Sequence, residues 1–151
     1  ALLVQGSSSD VRSFRAEYRH LAQLKHDNIV RLLAICDNEL ALVTEHCERG
    51  SLSQLLSSEA GRAAILNPNS SERQWLLLLH LAQALQFLHT RDRPIVHRDV
   101  KSGNVLVTAG WIAKLADFGQ AQLLASASEQ NELAVADWRI WHAHFPSSRA
   151  V

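Results

Sequence analysis

Methionine is absent from the 151 residues, and only two residues are cysteine. Neither cysteine belongs to a metal-binding or redox motif, and two are too few for a disulfide framework. Cys36 and Cys47 each lie in an apolar run, which favours buried free thiols and a reducing, cytoplasmic setting. Charge of one sign is not in excess. Lys plus Arg and Asp plus Glu both number 15, which excludes a strongly basic nucleic-acid binder and an acidic tail protein. No stretch reaches the roughly 18 to 20 apolar residues of a membrane span. The most apolar run, Trp75 to Leu79, is stopped by His80. Ala1 to Val4 is too short for the core of a signal peptide. With alanine first and no methionine, the chain is expected to be a piece of a longer product.

Hydrophobic residues make up 47% and charged residues 20%, the composition of one globular domain with a real core. After the polar loop Gly6 to Asp10, Phe14, Glu17, Leu21 and Leu24 recur at helical spacing, with Asp10 as the expected N-cap. The helix should fade at Lys25 to Asn28. Ile29 to Cys36 and Leu40 to Cys47 read as two strands joined by a short polar turn. A short helix is expected over Ser51 to Leu56, and Ser57 to Ser71 reads as loop. Ser71 and Gln74 have capping-box spacing and open the strongest helix, with Leu78, Leu81, Leu85 and Leu88 as its deepest stripe. Asp92 to Pro94 ends it. Ile95-Val96, Val105 to Val107 and Trp111 to Ala116 read as short strands. The stretch after Leu124 carries Trp138, Trp141, His142 and His144 without a clear period. The two histidines lack the third ligand that a metal site would need.

Between the short strands lies His97-Arg98-Asp99-Val100-Lys101-Ser102-Gly103-Asn104, and thirteen residues past Asn104 comes Asp117-Phe118-Gly119. Five fixed loop positions match by chance on the order of 10⁻⁵ to 10⁻⁴ times in such a chain. The pair resembles the catalytic loop and metal loop of the protein kinases. The resemblance runs from Phe14 to Leu124. Phe14 to Glu17 with Leu21, Leu24, His26 and Asn28 to Val30 looks like helix C and the strand after it. Leu42 to Cys47 looks like the strand into the hinge, with Gly50-Ser51-Leu52 just past it. Ala113 to Asp117 fits the strand into the metal loop.

The resemblance implies an α+β, two-lobe kinase fold, present here in part: some of the small lobe and the first half of the large one. Residues 1–124 would be the partial kinase domain, and 125–151 an activation-segment-like tail. It implies transfer of the ATP γ-phosphate to a protein substrate, with Mg²⁺ as cofactor. Phosphoryl transfer asks a protein mainly to position groups and neutralise charge. Asp99 would accept the proton of the substrate hydroxyl, and Lys101 would set a cation near the moving phosphate. Asn104 and Asp117 would offer hard oxygen donors to Mg²⁺. Glu17 would be the helix-C glutamate, Thr44 the gatekeeper, Glu45 and Cys47 hinge residues, and Leu106 the floor beneath adenine. His97 would join Leu21, Leu32 and Phe118 in a hydrophobic spine rather than act as a base. Lys101-Ser102-Gly103-Asn104 is most similar to the tyrosine-kinase-like group, whose members mostly phosphorylate Ser and Thr. Arg98 would bind a phosphorylated activation-segment residue, with Ser126 and Ser128 the nearest candidates.

Other family parts are missing. No two of the six glycines form Gly-x-Gly, and none of the lysines (25, 101 and 114) precedes helix C. Ala1 to Val4 resembles the end of the strand that carries the family's lysine. Phe145-Pro146-Ser147 stands where Ala-Pro-Glu is expected. The tail reads equally as a divergent activation segment or as a misjoined or frameshifted end. Without the large-lobe helices, the Trp75 to Leu88 helix should be under-covered and the isolated chain poorly stable. ATP binding by these residues alone should be weak. The rival readings are a pseudokinase or scaffold that transfers nothing, and a non-functional truncated fragment.

Overall fold

The structure, a computed structural model, describes residues 8–36, 41–67 and 71–124. Helix α1 spans Ser8–Leu21. It starts before Asp10, which therefore lies in the first turn and is not the N-cap. It also ends before Leu24, because two tight turns (Gln23 N–H to His20 O and Leu24 N–H to Leu21 O, both 3.1 Å) bend the chain so that Leu24 enters the core.

The first strand is shorter than its apolar run. Strand β1 is Leu32–Cys36 and pairs antiparallel with β2, Ala41–Thr44, through an irregularity between Leu32 and Ala34. Ile29 and Val30 are missing from β1 because they are used elsewhere. Leu115 N–H donates to Asn28 O at 2.8 Å and Val30 N–H to Leu115 O at 2.9 Å, so this segment runs beside β5, Ala113–Leu115. Buried Asn28 adds a bond from Nδ2 to Ala113 O, 3.1 Å. The expected turn at Asp37-Asn38 lies outside the described residues. Beyond Thr44 the chain leaves the sheet, and Cys47 O accepts from Gly50 N–H at 3.0 Å. Gly50 sits at φ 71°, where a β-carbon would also meet the Gln54 side chain at 2.5 Å.

Helix α2, Leu52–Ser57, carries the capping box. Gln54 N–H donates to Ser51 Oγ at 3.2 Å, and Ser51 N–H to Gln54 Oε1 at 2.8 Å. The segment read as loop contains a second helix, α3, Glu59–Leu66, capped by Ser58 Oγ accepting from Gly61 N–H at 3.0 Å. A capping box is expected to open the long helix at Ser71. Ser71 is already inside α4, Ser71–His89, and Gln74 Nε2 donates to Ile65 O at the end of α3, 2.8 Å.

Three of the four residues expected in the stripe of α4, Leu81, Leu85 and Leu88, face the core, and Leu77 takes the place expected of Leu78. Leu77, Ala84 and Leu88 are buried, Leu81 and Leu85 pack beside them, and Leu78 is 51% exposed. Trp75, Leu76 and Leu79 also face outward, an under-covered apolar surface. Leu81 joins two cores. One holds Leu21, Leu24, Ile29, Leu88, Leu115 and Phe118, and the other Ile65, Leu77, Val105, Val107 and Ala113.

After α4, β3 (Ile95–Val96) pairs with β6 (Gln122–Leu123), and β4 (Val105–Val107) pairs with β5. Between these strands run the two loops singled out by the motifs. Trp111 and Ile112, expected in the last strand, precede β5, because Trp111 turns at φ 63°. The observed phase of α4 has a direct test. Leu88→Ala should cost about 2–5 kcal/mol, and Leu78→Ala less than about 1 kcal/mol. Urea unfolding of both variants measures this, and equal losses would contradict the phase.

Candidate active site

The catalytic-loop histidine is buried completely, at 0% exposure. Its Nδ1 accepts from Asp99 N–H at 3.3 Å, so Nε2 holds the proton and donates to Ala116 O at 3.0 Å. Its ring meets the edge of Phe118 at 4.8 Å. His97 thus ties the residue before Asp117 to Asp99. Phe118 and Leu21 share a core, and Leu32 packs against it. Leu21, Phe118 and His97 are buried together, with Leu32 packed beside them, and His97 faces away from solvent.

Around this anchor the polar groups converge. Lys101 Nζ donates to Asp99 Oδ2 at 2.6 Å. Asn104 Nδ2 donates to the same oxygen at 2.8 Å and to Asp99 O at 2.9 Å. A 3₁₀ turn, Ser102–Asn104, brings Asn104 back onto the loop, and Ala116 N–H donates to Asn104 O at 2.8 Å. Burial acts to raise the Asp99 carboxyl, but the bonds from Lys101 and Asn104 and the lysine charge outweigh it, so it lies below its ordinary value. Its bond to Asp99 holds Lys101 above the ordinary lysine range, despite some desolvation, and the charges of Asp99 and Asp117 add to this. Asp117 sits at φ 63°, its carboxylate exposed, with Oδ1 accepting from Gly119 N–H at 3.3 Å.

Glu17 reaches this group from α1. Burial raises its carboxyl above the ordinary value, the Asp117 charge raises it further, and a bond from Phe118 N–H opposes both. Glu17 is therefore half-buried on α1, within reach of the Asp117 charge and the Phe118 backbone. Arg98, at φ 67°, donates to Gln122 Oε1 at 2.7 Å. Ser126 and Ser128 lie outside the described residues.

The hinge candidates form a second group. Thr44 pairs with Leu32, and Leu106 is half-buried on β4 beside Lys114. Glu45 is already engaged. Its N–H donates to Arg31 O at 2.9 Å, and its Oε1 accepts from Arg31 N–H at 2.7 Å and from Lys114 Nζ at 3.0 Å. Cys47 is buried, and burial, together with the Glu45 charge, pushes its thiol up, away from reactivity. Cys36, also a free thiol, is only half-buried. Reading the sequence missed Lys114, Arg49 and Trp111, whose partners lie far away along the chain.

The family model for protein tyrosine and serine/threonine kinases matches residues 2–143. The chain belongs to the protein kinase family. Its relatives in Arabidopsis thaliana include a probable LRR receptor-like serine/threonine-protein kinase, 40% identical over 121 residues. That match covers 78% of this chain and 13% of the relative. The receptor-like protein kinase HAIKU2 is 36% identical over 138 residues, 89% of this chain and 14% of the relative. The probable serine/threonine-protein kinase PBL8 is 37% identical over 113 residues, 74% of this chain and 26% of the relative. The chain thus spans between about an eighth and a quarter of these kinases. Among the described residues, no helix is long and apolar enough to cross a membrane.

Glu17 supplies a pH test. Because its pKa is raised, the folded kinase segment keeps this proton over a window just above the ordinary carboxylate value, where the unfolded chain has lost it. Stability is lost as pH rises through that window. Glu17→Gln should therefore raise the Tm of the 151-residue chain at neutral pH, and the gain should vanish on acidifying below about pH 4. A gain independent of pH would contradict the assigned cause.

Proposed function

We propose that this segment forms the hinge, catalytic loop and metal loop of a serine/threonine protein kinase. The parent would transfer the γ-phosphoryl group of ATP to a serine or threonine hydroxyl of a protein substrate. The carrying observation is the convergence of Asp99, Lys101 and Asn104, with Asp117 and Glu17 across from them. Asp99 is held ionised, so its carboxylate can orient the substrate hydroxyl and take its proton. Lys101 bridges from Asp99 toward the charge of Asp117, the place for a cation that meets negative charge building on the phosphoryl group.

The donors fit a hard divalent cation such as Mg²⁺. Asn104 uses its Nδ2 on Asp99, which leaves its amide oxygen as a neutral donor, and Asp117 offers an exposed carboxylate. These two would hold the ion, which neutralises phosphate charge when bound. Adenine would lie over Leu106 and take its hydrogen bonds from the Glu45 carbonyl and the backbone of His46 and Cys47, because Glu45 N–H serves Arg31. Thr44 would border that pocket. Residues 1–124 would form the kinase part, and 125–151 the activation segment. A phosphate on Ser126 or Ser128 would draw Arg98 from Gln122. ATP use and the free thiols go with the cytoplasmic side of a membrane for any receptor-like parent. The serine/threonine preference rests on Lys101 and on the names of the relatives.

The test uses the full-length parent and radiolabelled ATP. Wild type should label serine and threonine in a generic protein substrate, and Asp99→Asn should lower kcat by about 10²- to 10⁴-fold. Asp117→Asn should abolish transfer and weaken Mg-ATP binding. A parent that binds ATP but transfers nothing would instead be a nucleotide-binding scaffold, and labelled tyrosine would overturn the substrate class. The 151 residues alone should bind Mg-ATP more weakly than micromolar, because no Gly-x-Gly or helix-C-pairing lysine is present in them.

A further inference from the structure

Trp111 stands where three elements meet. It follows the turn Thr108-Ala109-Gly110 that links β4 to β5. The Arg49 guanidinium lies 4.1 Å from the centre of its ring, and that of Arg73 4.2 Å. Arg49 belongs to the chain leaving the hinge, and Arg73 to the first turn of α4. The backbone of Trp111 takes φ 63°, a region bulky residues avoid, whereas its neighbour Gly110 has no such angle. The ring is held in place at a conformational cost.

Its link to the hinge is continuous. Arg49 Nε and Nη2 both donate to Ala109 O, at 3.1 and 2.9 Å. Glu48 Oε2 accepts from Ala109 N–H at 2.6 Å. Arg49 N–H donates to Val107 O at 3.0 Å, and Val107 N–H to Gly50 O at 2.9 Å. Ser51 then bridges Leu106. The exit from the hinge therefore runs antiparallel along β4, clamped to the turn by one arginine fork and one carboxylate. Trp111 is the ring over which that guanidinium lies.

We infer that Trp111 is a positioning residue for the nucleotide: through Arg49 it sets the spacing between the hinge backbone and Leu106. This rests on the kinase reading above, in which those two surfaces enclose adenine. Among the described residues Trp111 lies with Arg49, Arg73 and the core of Ile65, Leu77 and Val107, apart from the groups assigned to the phosphoryl step, so its effect falls on nucleotide affinity and not on transfer. Arg73 also lies over the ring but bonds to Ala64 O of α3, so its loss should matter less.

The experiment measures KM for ATP and kcat in the full-length kinase, with the Kd of a fluorescent ATP analogue. Trp111→Ala should raise KM and Kd about three- to tenfold, with kcat at saturating ATP changed less than about twofold. Trp111→Phe, which keeps an aromatic face, should restore most of the affinity. Arg49→Met should match Trp111→Ala, and Arg73→Met should leave KM within about twofold. Arg49 is exposed, so its variant decides the matter even where Trp111→Ala does not fold. Unchanged KM in Arg49→Met, or equal losses of kcat in the Arg49 and Arg73 variants, would overturn the inference. A wild type that fails to bind the analogue would overturn the kinase reading and this inference with it, which sets that failure apart from a wild type that binds while the variants bind equally.

Discussion

The site depends on one buried imidazole. His97 accepts from the backbone of Asp99 and donates to the backbone of Ala116, and a single neutral tautomer satisfies both. The two loops it joins each make a left-handed turn next to a bonded residue, at Arg98 and at Asp117. Such turns are unfavourable for residues with side chains, and they persist only where their surroundings hold them. His97 holds them from within, and Phe118 closes the space beside its ring. A charged imidazole would lose its acceptor at Nδ1 and release Asp99. The spine is thus more than packing, because it sets where two carboxylates face solvent.

Once the loops are fixed, electrostatics give the cleft its sign. Burial first, and then the charge of Asp117, raise the cost of ionising Glu17. Asp99 escapes the same fate because Lys101 and Asn104 bond to it. The contrast separates roles without reference to any relative. Asp99 is held ionised by its two bonds, Asp117 is exposed, and Glu17 is half-buried with its carboxyl raised. A lysine or a metal ion brought between Glu17 and Asp117 would relieve the repulsion, so the arrangement stores an affinity for cations. In the kinase family that demand is met by parts that these residues do not include.

The groups of the candidate site were legible because their residues are close in sequence. His97 to Asn104 is one loop, and Asp117 to Gly119 another, so motif spacing alone brings the groups together. The phase of α4 was harder to read, because Leu76 to Leu79 are all leucine and a continuous apolar run carries no period. Only the packing of Leu77 against Val105, Val107 and Ala113 decides it. Helix α3 was missed because its Ala- and Gly-containing sequence has little apolar periodicity. It is held by its Ser58 cap and by Arg73 and Gln74 bonding to its last carbonyls. The division of Ile29 to Cys36 between two pairings was also hidden, since it depends on β5, more than eighty residues away. Separations of about sixty to seventy residues likewise hid Lys114 from Glu45 and Trp111 from Arg49.

The two ends of the cleft are held by different forces. At the loop end, His97, Asn104 and Phe118 are buried, and their bonds are short-range and shielded from salt. At the hinge end, the clamp of Glu48, Arg49 and the Ala109 turn is exposed and charged, the kind of contact that salt and competing ions weaken. On the kinase reading proposed above, the group that would orient the substrate hydroxyl is therefore the more rigidly placed, and the surface that would hold the base the more adjustable. Such a division suits a transferase. Misplacing the attacking oxygen by an ångström costs orders of magnitude in rate, whereas a nucleotide must enter and leave at every turnover. The fold puts its buried hydrogen bonds where geometry matters most and its exchangeable ones where release must occur.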